Sequence, residues 1–246
     1  MTAVSALPLP TRKDEDFRYA DLGALERVWP VAVEEIAVAA GEAQALVLAP
    51  EGDAVARHLA ITLAPGASFD LRVLNAGHAY GRVALDVRLE EGASFTLGAA
   101  QVGGGAQVLE LVTNVVHAGP DATSRQVVRS VLGGQATGTY LGKVMVARGA
   151  DGTDGEQSVR AMLLDRTATA NARPELEIYA DDVKCAHGCA VGELDAQGLF
   201  YLQSRGLPPA EAKRLMLQAF LAEAFVGAPS AESLDEAALA ALEALL

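Results

Sequence analysis

From residue 31 to about residue 180 the apolar positions recur with a period of two. In Arg82-Val83-Ala84-Leu85-Asp86-Val87-Arg88-Leu89 the large apolar residues alternate with small or charged ones, and Phe69-Asp70-Leu71-Arg72-Val73 does the same. Val159, Ala161 and Leu163 alternate more weakly. Successive side chains of a strand point to opposite faces, so this spacing predicts half-buried β-strands. Turn signals interrupt them at Pro65-Gly66, Glu91-Gly92, Pro120-Asp121, Arg148-Gly149 and Arg173-Pro174, at intervals of 26, 29, 28 and 25 residues. Two of these turns continue identically, as Gly66-Ala67-Ser68-Phe69 and Gly92-Ala93-Ser94-Phe95. Such an interval suits a parallel β-helix, in which each coil needs its neighbours to bury an apolar face. An antiparallel sandwich with evenly spaced hairpins fits the same pattern.

At about Asp195 the period changes from strand to helix. Asp195 is suited to N-cap a helix carrying Leu199, Phe200 and Leu202 and ended by Gly206. Pro208 and Pro209 suit the first turn of the next helix, over residues 208–226. One face of that helix carries Ala212, Leu215, Met216, Ala219 and Phe220, and a second stripe carries Leu217, Leu221 and Phe225. The apolar arc is wider than one packing face requires, which leaves a surplus for docking a partner. Ser233-Leu234-Asp235-Glu236 reads as a capping box for a last helix. At the other end, residues 8–29 are polar and charged around Phe17, Tyr19 and Leu22, and Asp21 is placed to cap a short helix over 22–27. The expected organisation is a short arm over 1–30, a β-core over 31–194 and a small helical domain over 195–246.

Composition narrows the classes. Apolar residues make up 51% and charged residues 21%, a globular balance. The net charge is −13, and with no basic stripe along the chain nucleic-acid binding is not expected. No leader-like apolar run follows Arg12 and Lys13, and no segment approaches a membrane span. Two cysteines four positions apart do not make a disulfide framework. A cytoplasmic address and no membrane association are expected.

Where the two periods meet lies a polar cluster, Cys185-Ala186-His187-Gly188-Cys189, after a strand-like segment ending at Glu177-Ile178-Tyr179. Thiolate and imidazole are ligands for iron, zinc and iron–sulfur clusters, and alternate residues of a strand present all three to one side. The same residues also suit small buried thiols and a hydrogen-bonded structural histidine. His117, at the end of an apolar run, is expected to be an exposed strand-end residue. His58 and His78 have no acidic or sulfur neighbours in sequence and are assigned no role. Gly103-Gly104-Gly105 is not a phosphate loop, and no Gly-x-x-x-x-Gly-Lys-Ser/Thr pattern occurs, so ATP hydrolysis is not expected. Asp181-Asp182 is expected to be a solvated turn rather than an acid–base pair.

The run Asp181-Asp182-Val183-Lys184-Cys185-Ala186-His187-Gly188, with Val191-Gly192-Glu193-Leu194-Asp195 and Leu199-Phe200-Tyr201-Leu202-Gln203-Ser204-Arg205-Gly206, resembles the C-terminal signature of the SufB/SufD family, its SufD branch above all. Gly149-Ala150-Asp151-Gly152-Thr153-Asp154-Gly155-Glu156-Gln157, Arg173-Pro174-Glu175-Leu176-Glu177-Ile178 and Lys13-Asp14-Glu15-Asp16-Phe17-Arg18-Tyr19 resemble it too. The resemblance implies a mainly β chain: a right-handed parallel β-helix with a short N-terminal arm and a small C-terminal helical domain. It also implies a non-catalytic scaffold subunit of the Suf iron–sulfur assembly machinery, paired with a SufB-like subunit and docking a SufC-type ATPase through its C-terminal helices. By the same resemblance His187 and Cys185 are the candidate metal positions, with His187 at the subunit interface. Cys189 stands where the family carries a small residue and is expected to pack. No cofactor is expected to stay on the isolated chain, iron or a cluster being held transiently in the complex. Family members usually carry a longer N-terminal helical region than the arm here.

Two other classes remain in view. One is a β-helix enzyme acting on acidic polysaccharide, which needs a cleft of carboxylates and basic residues; no such array is evident in the sequence. The other is a structural homodimer with no metal role. A β-helix ends in unpaired strand edges, so residues 176–183 are expected to pair with a like subunit and the isolated chain to form a homodimer.

Overall fold

The computed structural model describes residues 8–228 and 231–246. Twelve strands alternate between two sheets: β1 Val33–Val38, β2 Ala43–Leu48, β3 Ala54–Leu63, β4 Ser68–Ala76, β5 Tyr80–Leu89, β6 Ser94–Gly103, β7 Val108–His117, β8 Thr123–Leu132, β9 Thr137–Val146, β10 Asp154–Leu163, β11 Thr169–Ile178 and β12 Lys184–Gly192. One sheet runs β1-β3-β5-β7-β9-β11 and the other β12-β10-β8-β6-β4-β2. Every ladder is parallel, which excludes the antiparallel sandwich and makes the fold a β-solenoid of about six two-strand coils. The coils lengthen along the chain: Val33 pairs with His58, 25 residues on, and Thr137 with Thr169, 32 residues on.

The repeated Gly-Ala-Ser-Phe marks one corner in two of the coils, and the same corner recurs with other residues in their neighbours. Gly41, Gly66 and Gly92 have φ of +72°, +68° and +64°, and their N–H groups donate to the carbonyls of Pro65, Glu91 and Pro120 one coil further on. A left-handed backbone favours glycine. The next coil uses Asp121 at φ +58°, a residue type that tolerates this region. The Ala then turns inward (Ala67, Ala93 and Ala122 are fully buried) and the following strand places Phe69, Phe95, Ser124, Gly155 and Cys185 in one column. Arg173-Pro174 does not turn the chain; it lies inside β11. β11 is the edge of its sheet, where a missing N–H need not break a ladder.

The solenoid core is made by inward Leu, Val and Phe side chains, among them Leu59, Ile61, Phe69, Leu71, Leu85, Phe95 and Leu97. The outer faces are covered differently. Helices α2 Ala196–Ser204, α3 Pro209–Ala222 and α4 Ala231–Glu243 follow β12, and α3 and α4 fold back on β4, β6 and β8. There Leu217, Leu221, Ala224, Phe225, Leu234, Ala238 and Leu242 pack against Leu74, Ala100, Val102 and Val131. Gly98 makes the seat possible, because a Cβ there would stand 1.8 Å from the Ala224 carbonyl oxygen. Arg72 donates to that same oxygen at 2.8 Å. Asp195 caps α2 through the N–H groups of Gln197 and Gly198, and Pro209 opens α3, as expected. Ser233 is not an N-cap: α4 begins two residues earlier, so that Leu234, Ala238 and Leu242 face inward at four-residue spacing.

On the opposite sheet the arm is a short 3-10 turn, Glu15–Phe17, and helix α1, Leu22–Glu26, capped by Asp21. It is held by a buried ion pair between Arg82 and Glu110. Arg82 also donates to the Asp16 carbonyl at 2.9 Å and lies 4.2 Å from the Phe17 ring centre, while Glu110 accepts from the Asp21 N–H.

Candidate functional site

Cys185, His187 and Cys189 lie on one strand, as their alternate spacing suggested: β12 carries all three. Residues 176–183, expected to pair with a like subunit, contain the end of β11 and the turn into β12. β12 pairs with β10 on one side only, and its other edge is open among the described residues. Alternation sends the three side chains to the lumen side. Cys185 Sγ lies 3.4 Å from where a Cβ on the inward-facing Gly155 would stand, and Cys189 Sγ lies 4.0 Å from the Ala172 carbonyl oxygen across the lumen. Cys185 is half-buried, whereas His187 and Cys189 are exposed at the mouth of the last coil. Both thiols are free. Burial raises both thiol pKa values, so protons must leave before either can ligate a metal. Among the described residues no group of three or more His, Cys, Asp and Glu is disposed to hold a metal ion. The donors suit iron or a cluster by kind, but one chain does not close a site around it.

Beneath these residues the lumen turns polar, which the sequence reading missed. Register stacks Leu71, Leu97, Gln126, Gln157 and His187 in one column. Thr113 donates to Gln126 Oε1 at 3.0 Å, Tyr140 donates to the same oxygen at 3.3 Å, and Gln157 Nε2 donates to the Tyr140 hydroxyl at 3.0 Å. All four are buried. A signal was present: Gln126 and Gln157 occupy the inward phase of their strands, where Val128 and Val159 also lie. His117 is likewise inside the lumen rather than exposed; it is 0% exposed, with Nε2 2.8 Å from Ser124 Oγ. Burial drops its pKa to about 4. His58, by contrast, is on the outer face, 2.7 Å from Asp86, and His78 meets the Gly52 carbonyl. Asp181 and Asp182 are exposed at the turn before β12.

Two other surfaces stand out. A groove of about 380 Å³ beside the arm is lined by Asp14, Glu15, Asp16, Lys143, Arg173 and Glu175, an acid–base array that the sequence did not reveal. Its bases are already paired, Arg173 with Glu15 and Glu175 and Lys143 with Glu177. On the helices, Phe200 is 73% exposed, Val226 75% and Leu215 43%, with Tyr201 beside them. The stripe of Leu217, Leu221 and Phe225 is the inner one; Phe220 packs at its margin, near Arg129.

Residues 36–220 match the family described as SUF system FeS cluster assembly, SufBD core domain. The iron–sulfur cluster assembly protein SufD of Escherichia coli is 36% identical over 117 residues, 48% of this chain and 28% of that protein. SufD of Bacillus subtilis is 35% identical over 121 residues, 49% of this chain and 28% of that protein. A SufBD family protein of Mycobacterium leprae is 31% identical over 180 residues, 70% of this chain and 43% of its own length. The chain thus spans less than half the length of these relatives. With the match covering most of the solenoid and both α2 and nearly all of α3, the chain belongs to the SufBD family of iron–sulfur cluster assembly proteins.

Proposed function

We propose that the chain is a non-catalytic scaffold subunit of Suf iron–sulfur cluster assembly, which pairs through its β11–β12 end with a SufB-like subunit. The supporting observation is the coincidence of an open strand edge with lumen-side Cys185 and His187. A partner strand laid on β12 would complete both the ladder and the ligand set. Iron and the cluster are then cargo held between subunits, with His187 and Cys185 contributing from this side. In the absence of a SufB-like subunit the same edge pairs with a second copy, giving a homodimer.

The SufC-type ATPase docks on the outer surface of α2 and α3, where Leu215, Phe200 and Tyr201 are exposed. Leu215→Ala should leave the melting temperature unchanged and weaken ATPase binding by about 1–3 kcal/mol if it is an anchor. Phe225→Ala, on the buried stripe, should destabilise the fold instead. Normal ATPase binding by a Leu215→Ala, Phe200→Ala double variant would rule this surface out.

The cluster role is tested by His187→Ala in anaerobic reconstitution with the co-expressed partners. The expected result is a folded, fully complexed protein with reduced cluster yield, and a much smaller effect for Cys189→Ala. Undiminished yield per folded complex would leave only a structural role.

A further inference from the structure

We propose that the hollow between the arm and the outer face of β1, β3, β5 and β7 is a binding site for a small, neutral, planar aromatic compound carrying one N–H or O–H donor. The recognising group is His58, to which the sequence assigned no role. The site lies on the sheet that does not contain β12, so it is separate from Cys185 and His187 and does not depend on the cluster role.

Register explains the hollow. Val33, His58, Ala84 and Val112 form one outward column across the four strands. An alanine between two longer side chains leaves a depression, and Ala56, two residues before His58 and on the same face, widens it. The arm arches over it with Phe17 and Trp29, whose ring centres are 6.2 Å apart at an interplanar angle of 86°. The space between arm and sheet is about 300 Å³. An apolar cavity of about 150 Å³ accepts one benzene, so this one has room for two fused rings. Small-molecule sites begin at about this size.

The walls choose the chemistry. Phe17 and Trp29 meet edge to face, an arrangement aromatic rings favour, and a third ring set against them gains contacts of the same kind. Val31 and Val112 add apolar lining. The charges at the rim are paired: Arg57 with Glu34, Arg82 with Glu110 and His58 with Asp86. Asp16 also lines the hollow but is exposed to solvent, where an ion pair gains little. A net charge on the ligand therefore has no strong partner. Recognition falls to the imidazole. His58 Nε2 stands 2.7 Å from Asp86 Oδ2, and Asn114 donates to the other oxygen of that carboxylate. A carboxylate accepts, so Nε2 carries the proton and Nδ1 of the neutral ring is an acceptor. A ligand N–H or O–H is its complement.

The test uses indole as the probe and Trp29 as the reporter. The chain has one tryptophan, so in nitrogen-15-labelled protein its side-chain N–H gives a single signal that needs no assignment. Unlabelled indole, at about pH 8 and so above the ordinary histidine pKa, should shift that signal saturably with a Kd below about 1 mM. Ala84→Leu, which fills the hollow from its floor, should abolish the shift and leave the melting temperature unchanged. Should that variant fold poorly, Ala56→Leu fills the same hollow from the neighbouring position. Benzothiophene, of the same shape but without the N–H, should bind about 3–10-fold more weakly than indole, the worth of one hydrogen bond. His58→Leu should erase that difference. No saturable shift with indole, or undiminished binding by a folded Ala84→Leu or Ala56→Leu chain, would overturn the site. Equal affinities of indole and benzothiophene for wild type would overturn its assignment to donor-bearing rings.

Discussion

The two halves of the lumen are built from the same coil and filled differently. In the N-terminal half the column positions are Phe69 and Phe95, Leu71 and Leu97; in the C-terminal half the same positions are Ser124, Gly155 and Cys185, and Gln126, Gln157 and His187. The first half gains its stability from close-packed apolar side chains. The second exchanges part of that for hydrogen bonds across the lumen and ends in Cys185, His187 and Cys189 on β12.

The largest effect should come from the apolar half. Phe95→Ala should cost about 3–5 kcal/mol in reversible urea unfolding, because a fully buried ring leaves a cavity between rigid rungs. A cost below about 1 kcal/mol would mean that the solenoid can collapse around the gap, and the contrast between halves would fail. Pairing of β12 with a partner should survive, the substitution being several coils away from it.

The polar half should be the acid-sensitive one. His117 is buried neutral, with a folded-state pKa of about 4 against 6.5 when unfolded. The stability linked to its neutrality is fully present above about pH 6.5. It falls as the pH drops toward 4, by up to about 3 kcal/mol. Unfolding monitored across that range should show this loss in wild type and less of it in His117→Gln. Equal slopes would show that carboxylates elsewhere govern acid unfolding.

The smallest effect sharpens the comparison at neighbouring rungs of one column. Leu97→Ala should cost about 2–5 kcal/mol, whereas Gln126→Leu should change stability by less than about 1 kcal/mol. Gln126 Nε2 has no partner in the chain, and without the amide Thr113 and Tyr140 remain 3.2 Å apart and can bond each other. A loss in Gln126→Leu as large as that in Leu97→Ala would show that the polar half also depends on its hydrogen bonds for stability.

Much of this was legible locally. The strand period, the Gly-Ala-Ser-Phe corners, the caps at Asp21 and Asp195 and the start of α3 at Pro209 each depend on residues within one turn or one corner. The chemistry of Cys185, His187 and Cys189 was also apparent, because their spacing alone places them on one side of a strand. What misled was local as well: Arg173-Pro174 has the composition of a turn, but an edge strand accommodates it, and Ser233 begins a capping-box motif inside a helix that started earlier.

Sequence by itself therefore determined the strand period, the glycine corners and the caps at Asp21 and Asp195, since these follow from neighbours along the chain. Only the tertiary structure decided which residues stack. Parallel rather than antiparallel ladders, Gln157 under His187 from thirty residues upstream, the burial of His117 and the choice of Leu217, Leu221 and Phe225 as the inner stripe all follow from register between distant segments. A period of two tells which residues share a face. It does not tell what that face meets, because the partner is chosen by packing over intervals of 25–32 residues.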